Sequence, residues 1–293
     1  MSSSYIATEI HHHVRSISLP SRLQHPSSQK IEGKLNRLKS WDASSLPSSS
    51  LQCEDMKAGL KGLAELYNSV HELIACPLTQ EALIHQNHYV EKPLDMSVQL
   101  LDVCGSATEL LLLMKEQVLE LQSALRRKGL DSSINSQLCA YICFRKKAKK
   151  DITKSIKVLK TMECSIKSYS HALLDVDHHL LMVINVLKEL STITISFFQK
   201  LLNFMFGKNT RGWSMFSKMV STNEMDGIDI ALCSFQRCII TKNDAKVDVQ
   251  IVKRRLGELD GSIRELELGL DCLFRCFIQH RVSLLNLLTS SMI

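Results

Sequence analysis

Residues 249–287 read VQIVKRRLGELDGSIRELELGLDCLFRCFIQHRVSLLNL, and apolar side chains recur in them at heptad spacing. The two seam positions of the heptad are occupied by Val249, Val252, Leu256, Leu259, Ile263, Leu266, Leu270, Leu273, Phe277, His280, Leu284 and Leu287. A period of 3.5 residues sustained over this length predicts a long helix packed lengthwise on other helices. Towards its end, Phe274, Cys276 and Leu288 widen the apolar stripe beyond a two-stranded seam. We therefore expect the end of this helix to be buried in a bundle.

The rest of the composition agrees with long helices. The chain has 293 residues, of which 11 are glycine and five are proline, and no proline follows Pro93. Because proline in a helix interior costs about 3 kcal/mol, such a sequence favours few interruptions. With 45% hydrophobic residues the chain can bury a large core, as one bundle or as two packed helical halves. The predicted fold class is all-α: an elongated, mostly antiparallel bundle of long helices.

The predicted organisation begins with a disordered Ser- and His-rich tail at residues 1–27, followed by the bundle at 28–293. A Ser/Pro linker is expected near residues 42–52, after a first helix, and a second helix is expected to end before Pro77. A short helix around LTQEALI should then lead to a long helix that opens near Pro93.

A further helical run is predicted from Asn135 to about Leu190, with a break near Ser170. Gly207, Gly212 and Gly227 act as helix breakers, so residues 207–227 are predicted to be a loop with a short helix, and a hinge.

The N-terminus has no apolar segment of signal-peptide length, and no later stretch offers the roughly 18 uninterrupted apolar residues of a spanning helix. We expect an intracellular protein that does not cross a membrane, most simply in the cytoplasm. Peripheral-membrane, nuclear and plastid locations are the alternatives. The serine-rich, basic opening suits a transit peptide, although Glu9 and the lack of an arginine-rich amphipathic pattern argue against one.

Ten cysteines at an intracellular address are expected to be reduced thiols. Cys139 with Cys143, and Cys272 with Cys276, are each four residues apart and share a helix face. Four thiolates can build a zinc site, but no close-spaced turn motif with two intervening residues supports one here. Plain core packing of both pairs is the favoured interpretation, so no metal is predicted.

Several blocks of the sequence resemble a known family. These are HVRSISLPSR, KLNRLKSWDASS, LTQEAL, LLDVCGSATELLLLMKEQVLELQSALRRKG, AYICFRKKAKKDI and LGELDGSIRELELGLDCLFRCFIQHRVSLLNLL. In this order they resemble a plant-specific domain-of-unknown-function family related to the Bypass proteins. The resemblance implies an all-helical plant protein with a loose association with root and shoot development, and it supplies no catalytic residues.

Three glycines depart from that family pattern. Gly257, Gly261 and Gly269 stand on the final helix where acidic or polar residues are favoured. At about 1 kcal/mol each relative to alanine, they are expected to weaken that helix.

The chain lacks a phosphate-binding glycine loop, a paired-histidine zinc motif and a nucleophile elbow. We therefore predict no enzyme and no cofactor. His280 occupies the seam of the final helix, and a hydrogen-bonded core or edge histidine is the favoured interpretation over a ligand or a switch. The predicted role is a non-enzymatic interaction or regulatory protein, and the alternative is a peripheral membrane protein that docks on anionic lipid.

Residues 145–160 carry a local charge of +7, whereas the whole chain carries +6, so the remainder is close to neutral and nucleic acid is not indicated as a general partner. A helical wheel predicts a basic face opposite an apolar one. Its lysines are Lys146, Lys147, Lys149, Lys150, Lys154 and Lys157. This face suits three interpretations: a solvated bundle surface, contact with anionic lipid, or nuclear import and nucleic acid.

An aromatic segment follows the basic one. Its members include Phe197, Phe198, Phe204, Phe206 and Trp213. Core packing is the favoured interpretation because the apolar stripe is broad, and a membrane anchor is the alternative.

The tail contains a phosphopeptide pattern. Arg15, Ser18 and Pro20 have the Arg-Ser-x-Ser-x-Pro spacing that 14-3-3 proteins recognise when the second serine is phosphorylated. A solvated linker is the alternative interpretation.

Overall fold

The structure is a computed structural model, and it describes residues 26–44, 52–127, 132–168, 177–206, 224–241 and 246–290. Within these residues it contains eight α-helices and no strand. The helices are α1 Pro26–Ser44, α2 Cys53–Ile74, α3 Pro77–His85, α4 His88–Arg126, α5 Ser132–Ser168, α6 His178–Phe206, α7 Glu224–Thr241 and α8 Lys246–Ser290. The all-α prediction is confirmed.

Helix α8 lies at the centre of the bundle, with α2, α4 and α7 packed along it. The predicted seam is confirmed, because eleven of its twelve side chains are buried and Val249 is partly buried. The apolar periodicity of the sequence thus places the core of the fold correctly.

Hydrogen bonds along α8 show whether each neighbouring helix runs parallel or antiparallel to it. Helix α4 runs antiparallel to α8, since Arg281 reaches the carbonyl of Leu94 whereas Gln122 reaches the carbonyl of Leu256. Helix α2 runs parallel to α8, because Cys53 contacts Ser262 and His71 contacts Ser283 near the other end. The bundle therefore combines antiparallel and parallel neighbours around its longest helix.

Three predicted boundaries shift. Helix α1 begins at Pro26, two residues earlier than predicted, and proline suits a first helical position because the N–H it lacks would have no partner there. Pro93 does not open α4 but lies inside it, so the helix forgoes one backbone hydrogen bond near its start. Gly227 lies within α7 rather than in a loop, between the buried Met225 and Ile228, whose burial offsets the low helix propensity of glycine.

The remaining predicted boundaries are the break near Ser170, the Ser/Pro linker and the hinge. Helix α5 ends at Ser168 and α6 begins at His178, on either side of the predicted break, whereas α1 continues to Ser44, inside the linker predicted near residues 42–52. Residues 207–223 of the predicted hinge lie outside the described part of the chain.

Two helices, α4 and α6, are long and apolar enough to cross a membrane by length and composition alone. Core helices of soluble proteins meet the same criterion. In α6, 61% of the most apolar window is buried against the rest of the bundle.

Two glycines lie at close helix crossings. A Cβ atom added at Gly59 would lie 2.6 Å from the ring of Phe197 in α6, and one added at Gly269 would lie 2.6 Å from Leu60 in α2. By contrast, a Cβ atom at Gly257 or Gly261 would have no neighbour within 4 Å. Close packing on α2 therefore explains why a glycine stands at position 269 in spite of its low helix propensity. No contact in the described structure explains Gly257 or Gly261.

Replacing Gly59 with alanine should lower the free energy of unfolding by about 1–2 kcal/mol, because overpacking against an aromatic ring outweighs the gain in helix propensity. The Gly261→Ala variant is the matched control, and it should raise the free energy of unfolding by up to about 1 kcal/mol. Urea unfolding followed by circular dichroism measures both. A Gly59→Ala protein as stable as the control would contradict the close crossing.

Candidate functional site

Helix α5 has one buried side and one exposed side. Its buried side chains include Tyr141, Ala148, Ile152 and Leu159, which pack towards α4 and α6. On the other side is the lysine face, defined as Lys146, Lys147, Lys149, Lys150, Lys154 and Lys157. Five of these lysines are exposed and Lys149 is half-buried. The helix thus presents a ridge of ammonium groups to solvent.

One carboxylate lies among these lysines. Lys154 forms an ion pair with Asp151 at 2.9 Å between Nζ and Oδ1, and both groups are exposed. The pKa of Asp151 is lowered, first by the hydrogen bond from Lys154 and further by the charges of Lys147 and Lys150. Exposed pairs of this kind are weak, so Asp151 offsets only part of the local charge. Within the described residues, Lys147, Lys150 and Lys157 form no ion pair.

A groove beside the lysine face separates α5 from α4. It consists of two adjoining clefts of about 310 and 560 Å³ that share Ser106, Lys154 and Ser155. Carboxylates of α4, Asp102 and Glu109, also line it, so the groove has mixed charge and the excess of positive charge lies on the outer ridge. Exposed apolar side chains border it, with Leu113 and Val158 each 40% accessible.

Arg145 begins the basic segment in the sequence, but the structure places it in the interior. Its guanidinium contacts the Asp229 carboxylate in α7, with Nη2–Oδ2 at 2.5 Å and Nε–Oδ2 at 3.0 Å. It also donates to the carbonyl of Met205 at 2.7 Å and lies over the Phe206 ring. Tyr141 donates to the same carboxylate at 2.8 Å, and burial raises the pKa of this tyrosine well above its ordinary value.

These contacts form a clamp between α5, α6 and α7. Arg145 therefore contributes no charge to the exposed ridge, and the +7 of the segment overstates the charge available to a partner. Helical spacing places Arg145 on the same side of α5 as Tyr141 and Ala148, which is a local signal for its burial. The sequence held no local signal for its partner, because Arg145 and Asp229 are 84 residues apart.

The aromatic segment lies in the core wherever the structure describes it. Phe197, Phe198, Phe204 and Phe206 are all buried, and the Phe197 ring lies 5.7 Å from that of Trp41 in α1. These four rings pack against side chains of the same bundle, so they are not available for contact with a membrane. Trp213 lies outside the described residues.

The cysteine pairs differ from the core-packing interpretation. Cys276 is buried as expected, but Cys139, Cys143 and Cys272 are exposed, so that interpretation is wrong for these three. Cys139 and Cys143 face away from the core because they share the outer side of α5. Among the described residues no group of three or more Cys, His, Asp or Glu side chains is arranged to hold a metal ion.

His280 is buried in the seam against the ring of Tyr67, at 5.3 Å between ring centroids. Within the described residues its Nδ1 atom has no hydrogen-bond partner, so the prediction of a hydrogen-bonded histidine is wrong for this atom. Burial, with a smaller contribution from His71, lowers the pKa of His280 to about 4. The side chain is therefore neutral at physiological pH.

The phosphopeptide motif of Arg15, Ser18 and Pro20 lies outside the described residues. Recognition by a 14-3-3 protein stays a prediction.

The fold and the site define an all-helical bundle protein with an exposed lysine face on its fifth helix. The chain matches the family described as Protein BPS1 over residues 59–287, from α2 to α8, and it belongs to that family. This is the Bypass-related plant family that the sequence resembles. The searches of curated proteins and of solved structures found no match.

Proposed function

We propose that this protein is a non-enzymatic regulatory protein of plants that docks on an anionic membrane surface through the lysine face of α5. The observation that supports it is the ridge of six lysines on one helix side, with Asp151 as the single acidic residue between them. From Lys146 to Lys157 the ridge spans about 17 Å, which is wide enough to meet several lipid headgroups. Membership of the BPS1 family is consistent with a developmental role in plants.

The chemistry of the ridge favours lipid over other anionic partners. Lysine is a compact, hydrated point charge, and it suits a diffuse layer of headgroups, whereas arginine suits bidentate recognition of single phosphates. No aromatic side chain of the described aromatic segment is exposed beside the ridge for stacking on nucleobases. The exposed Leu113 and Val158 provide small apolar contacts at the lipid interface.

The non-enzymatic part of the proposal rests on where three groups with raised pKa values lie. Burial raises the pKa values of Tyr67 and Tyr141, and it raises the pKa of the Cys104 thiol to about 12. All three side chains lie inside the core, and none of them lines the groove beside α5. None therefore offers an activated acid or nucleophile to a ligand in the groove.

Charge reversal on the ridge tests the proposal. Changing Lys147, Lys150, Lys154 and Lys157 to glutamate should weaken binding to vesicles that contain phosphatidylserine on the order of 100-fold, because each lysine contributes about 1 kcal/mol near such a surface and salt screens part of it. Co-sedimentation with vesicles at physiological salt measures the change. Raising the salt concentration should weaken binding of the unaltered protein.

A control variant with the same charge change separates this face from net charge. Lys30, Lys61, Arg254 and Arg275 are exposed on α1, α2 and α8. Changing these four to glutamate should weaken vesicle binding much less than the ridge variant. Equal losses in both variants, or no binding of the unaltered protein to anionic vesicles, would refute docking through the lysine face.

A further inference from the structure

Exposed cysteines of α5 lie on the same side of the helix as the lysine face. Cys139, Cys143 and Cys164 are all exposed. Cys139 precedes Lys157 by 18 residues, and Lys146 precedes Cys164 by 18 residues, so that each pair is separated by about five full helical turns. Cys143 lies about two turns before Lys150. The lysine ridge therefore has thiols at both of its ends.

Cysteine is among the residue types most often buried, so three exposed thiols on one helix side are informative. Elsewhere Cys53, Cys104 and Cys276 are buried, and their thiols face backbone carbonyls of neighbouring helices. Cys272 is exposed on α8, but it lies between the charged Asp271 and Arg275 and away from the lysine face. Core packing does not explain the α5 thiols, and among the described residues they belong to no group of three or more side chains that could hold a metal ion.

We propose that the α5 cysteines, Cys139 and Cys143 at one end of the ridge and Cys164 at the other, are sites of reversible S-acylation by long-chain fatty acids. The inference rests on the proposed function, since it assigns to the same face a second attachment to the membrane. Cysteines beside basic residues on an amphipathic helix are typical acceptors of this modification.

The chemistry is a transfer between thioesters. The cysteine Sγ attacks the carbonyl carbon of a fatty acyl coenzyme A, a new C–S bond forms, and the bond to the coenzyme A sulfur breaks. The thiol proton leaves with coenzyme A, which is released as the free thiol, so no oxidant or reductant is needed. Hydrolysis of the thioester restores the cysteine and releases the fatty acid.

Two weak attachments explain why lysines and thiols share one face. A single myristoyl chain binds a membrane only marginally, with an association constant on the order of 10⁴ M⁻¹, and one chain together with a basic patch gives stable anchoring. Cys143 and Lys150 lie about 10 Å apart along the axis, so an acyl chain can enter the bilayer while the ammonium groups contact headgroups. Removal of the acyl chain would leave the weaker, salt-sensitive contact.

Thioester-selective capture tests the inference on the full chain expressed in plant cells. Proteins are reduced, their thiols are blocked with N-ethylmaleimide, thioesters are cleaved with hydroxylamine, and the released thiols are captured on a resin. Hydroxylamine-dependent capture of the unaltered protein is expected. It should fall about fivefold or more when Cys139, Cys143 and Cys164 are changed to serine, because these thiols are the predicted acceptors.

The Cys272→Ser variant is the matched control, since it removes one exposed thiol outside the lysine face, and its capture should equal that of the unaltered protein. Absence of hydroxylamine-dependent capture, or capture that persists in the triple variant, would overturn the inference. This readout involves no vesicles, whereas vesicle binding uses unacylated protein. A failure of lysine docking and a failure of acylation are therefore distinguishable.

Discussion

Replacing Arg145 with methionine should lower the free energy of unfolding by about 3 kcal/mol, because it leaves the partly buried Asp229 carboxylate with the Tyr141 hydroxyl but without its charged partner. The side chain of Arg145 is only 8% accessible and that of Asp229 is 28% accessible. The substitution also removes the hydrogen bond to the Met205 carbonyl and the contact with the Phe206 ring. An exposed ion pair would be worth far less.

Urea unfolding measured by circular dichroism gives the decrease in the free energy of unfolding. Two control variants show whether this decrease comes from the clamp. A Lys150→Met variant alters an exposed cation on the same helix and should change stability by less than about 0.5 kcal/mol. Changing Arg145 to methionine and Asp229 to leucine together should recover part of the loss, since no unpaired charge then remains. If Arg145→Met matched Lys150→Met, the clamp would not stabilise the fold.

The clamp also shows which parts of the structure the sequence could predict. A heptad repeat is a local signal, since the spacing of the apolar residues in α8 shows which side of the helix is buried, whatever the partner helix is. The lysine face is local for the same reason, because the apolar positions of α5 fix the outward direction of Lys147 and Lys150. The heptad prediction is confirmed, and five of the six lysines on α5 are exposed in the structure.

Features that depend on distant partners were not predictable in this way. Helical spacing places Arg145 on the apolar side of α5, but the charge that pairs with it there is known only from the position of Asp229 in α7. The parallel direction of α2 and α8 depends on how connections cross the bundle, and no single helix pattern encodes it. Cys139 and Cys143 share a face in any helix, but whether that face meets another helix is decided by tertiary packing.

Phe277 connects the seam to the aromatic core, and its replacement by alanine should lower the free energy of unfolding by about 3–5 kcal/mol. Its ring centroid lies 4.9 Å from that of Tyr67 in α2 and 6.0 Å from that of Phe198 in α6. The side chain is 2% accessible, so truncation leaves a cavity bordered by the rings of Tyr67 and Phe198. Urea unfolding again measures the loss.

The adjacent Ile278 is the matched control, because it lies on the same helix with 45% of its surface accessible. Ile278→Ala should change stability by less than about 0.5 kcal/mol. Similar losses at both positions would contradict the register of the heptad.

The same variant separates an intramolecular seam from a two-chain zipper. The partners of Phe277 belong to its own chain, so the loss in Phe277→Ala should be the same over about a hundredfold range of protein concentration, whereas a zipper would make stability depend on concentration. A midpoint of unfolding that rises with concentration in the unaltered protein but not in Phe277→Ala would place the seam between chains. A constant difference would place it inside one bundle, where α8 packs on α4 and α4 packs on α5, the helix that presents the lysine face.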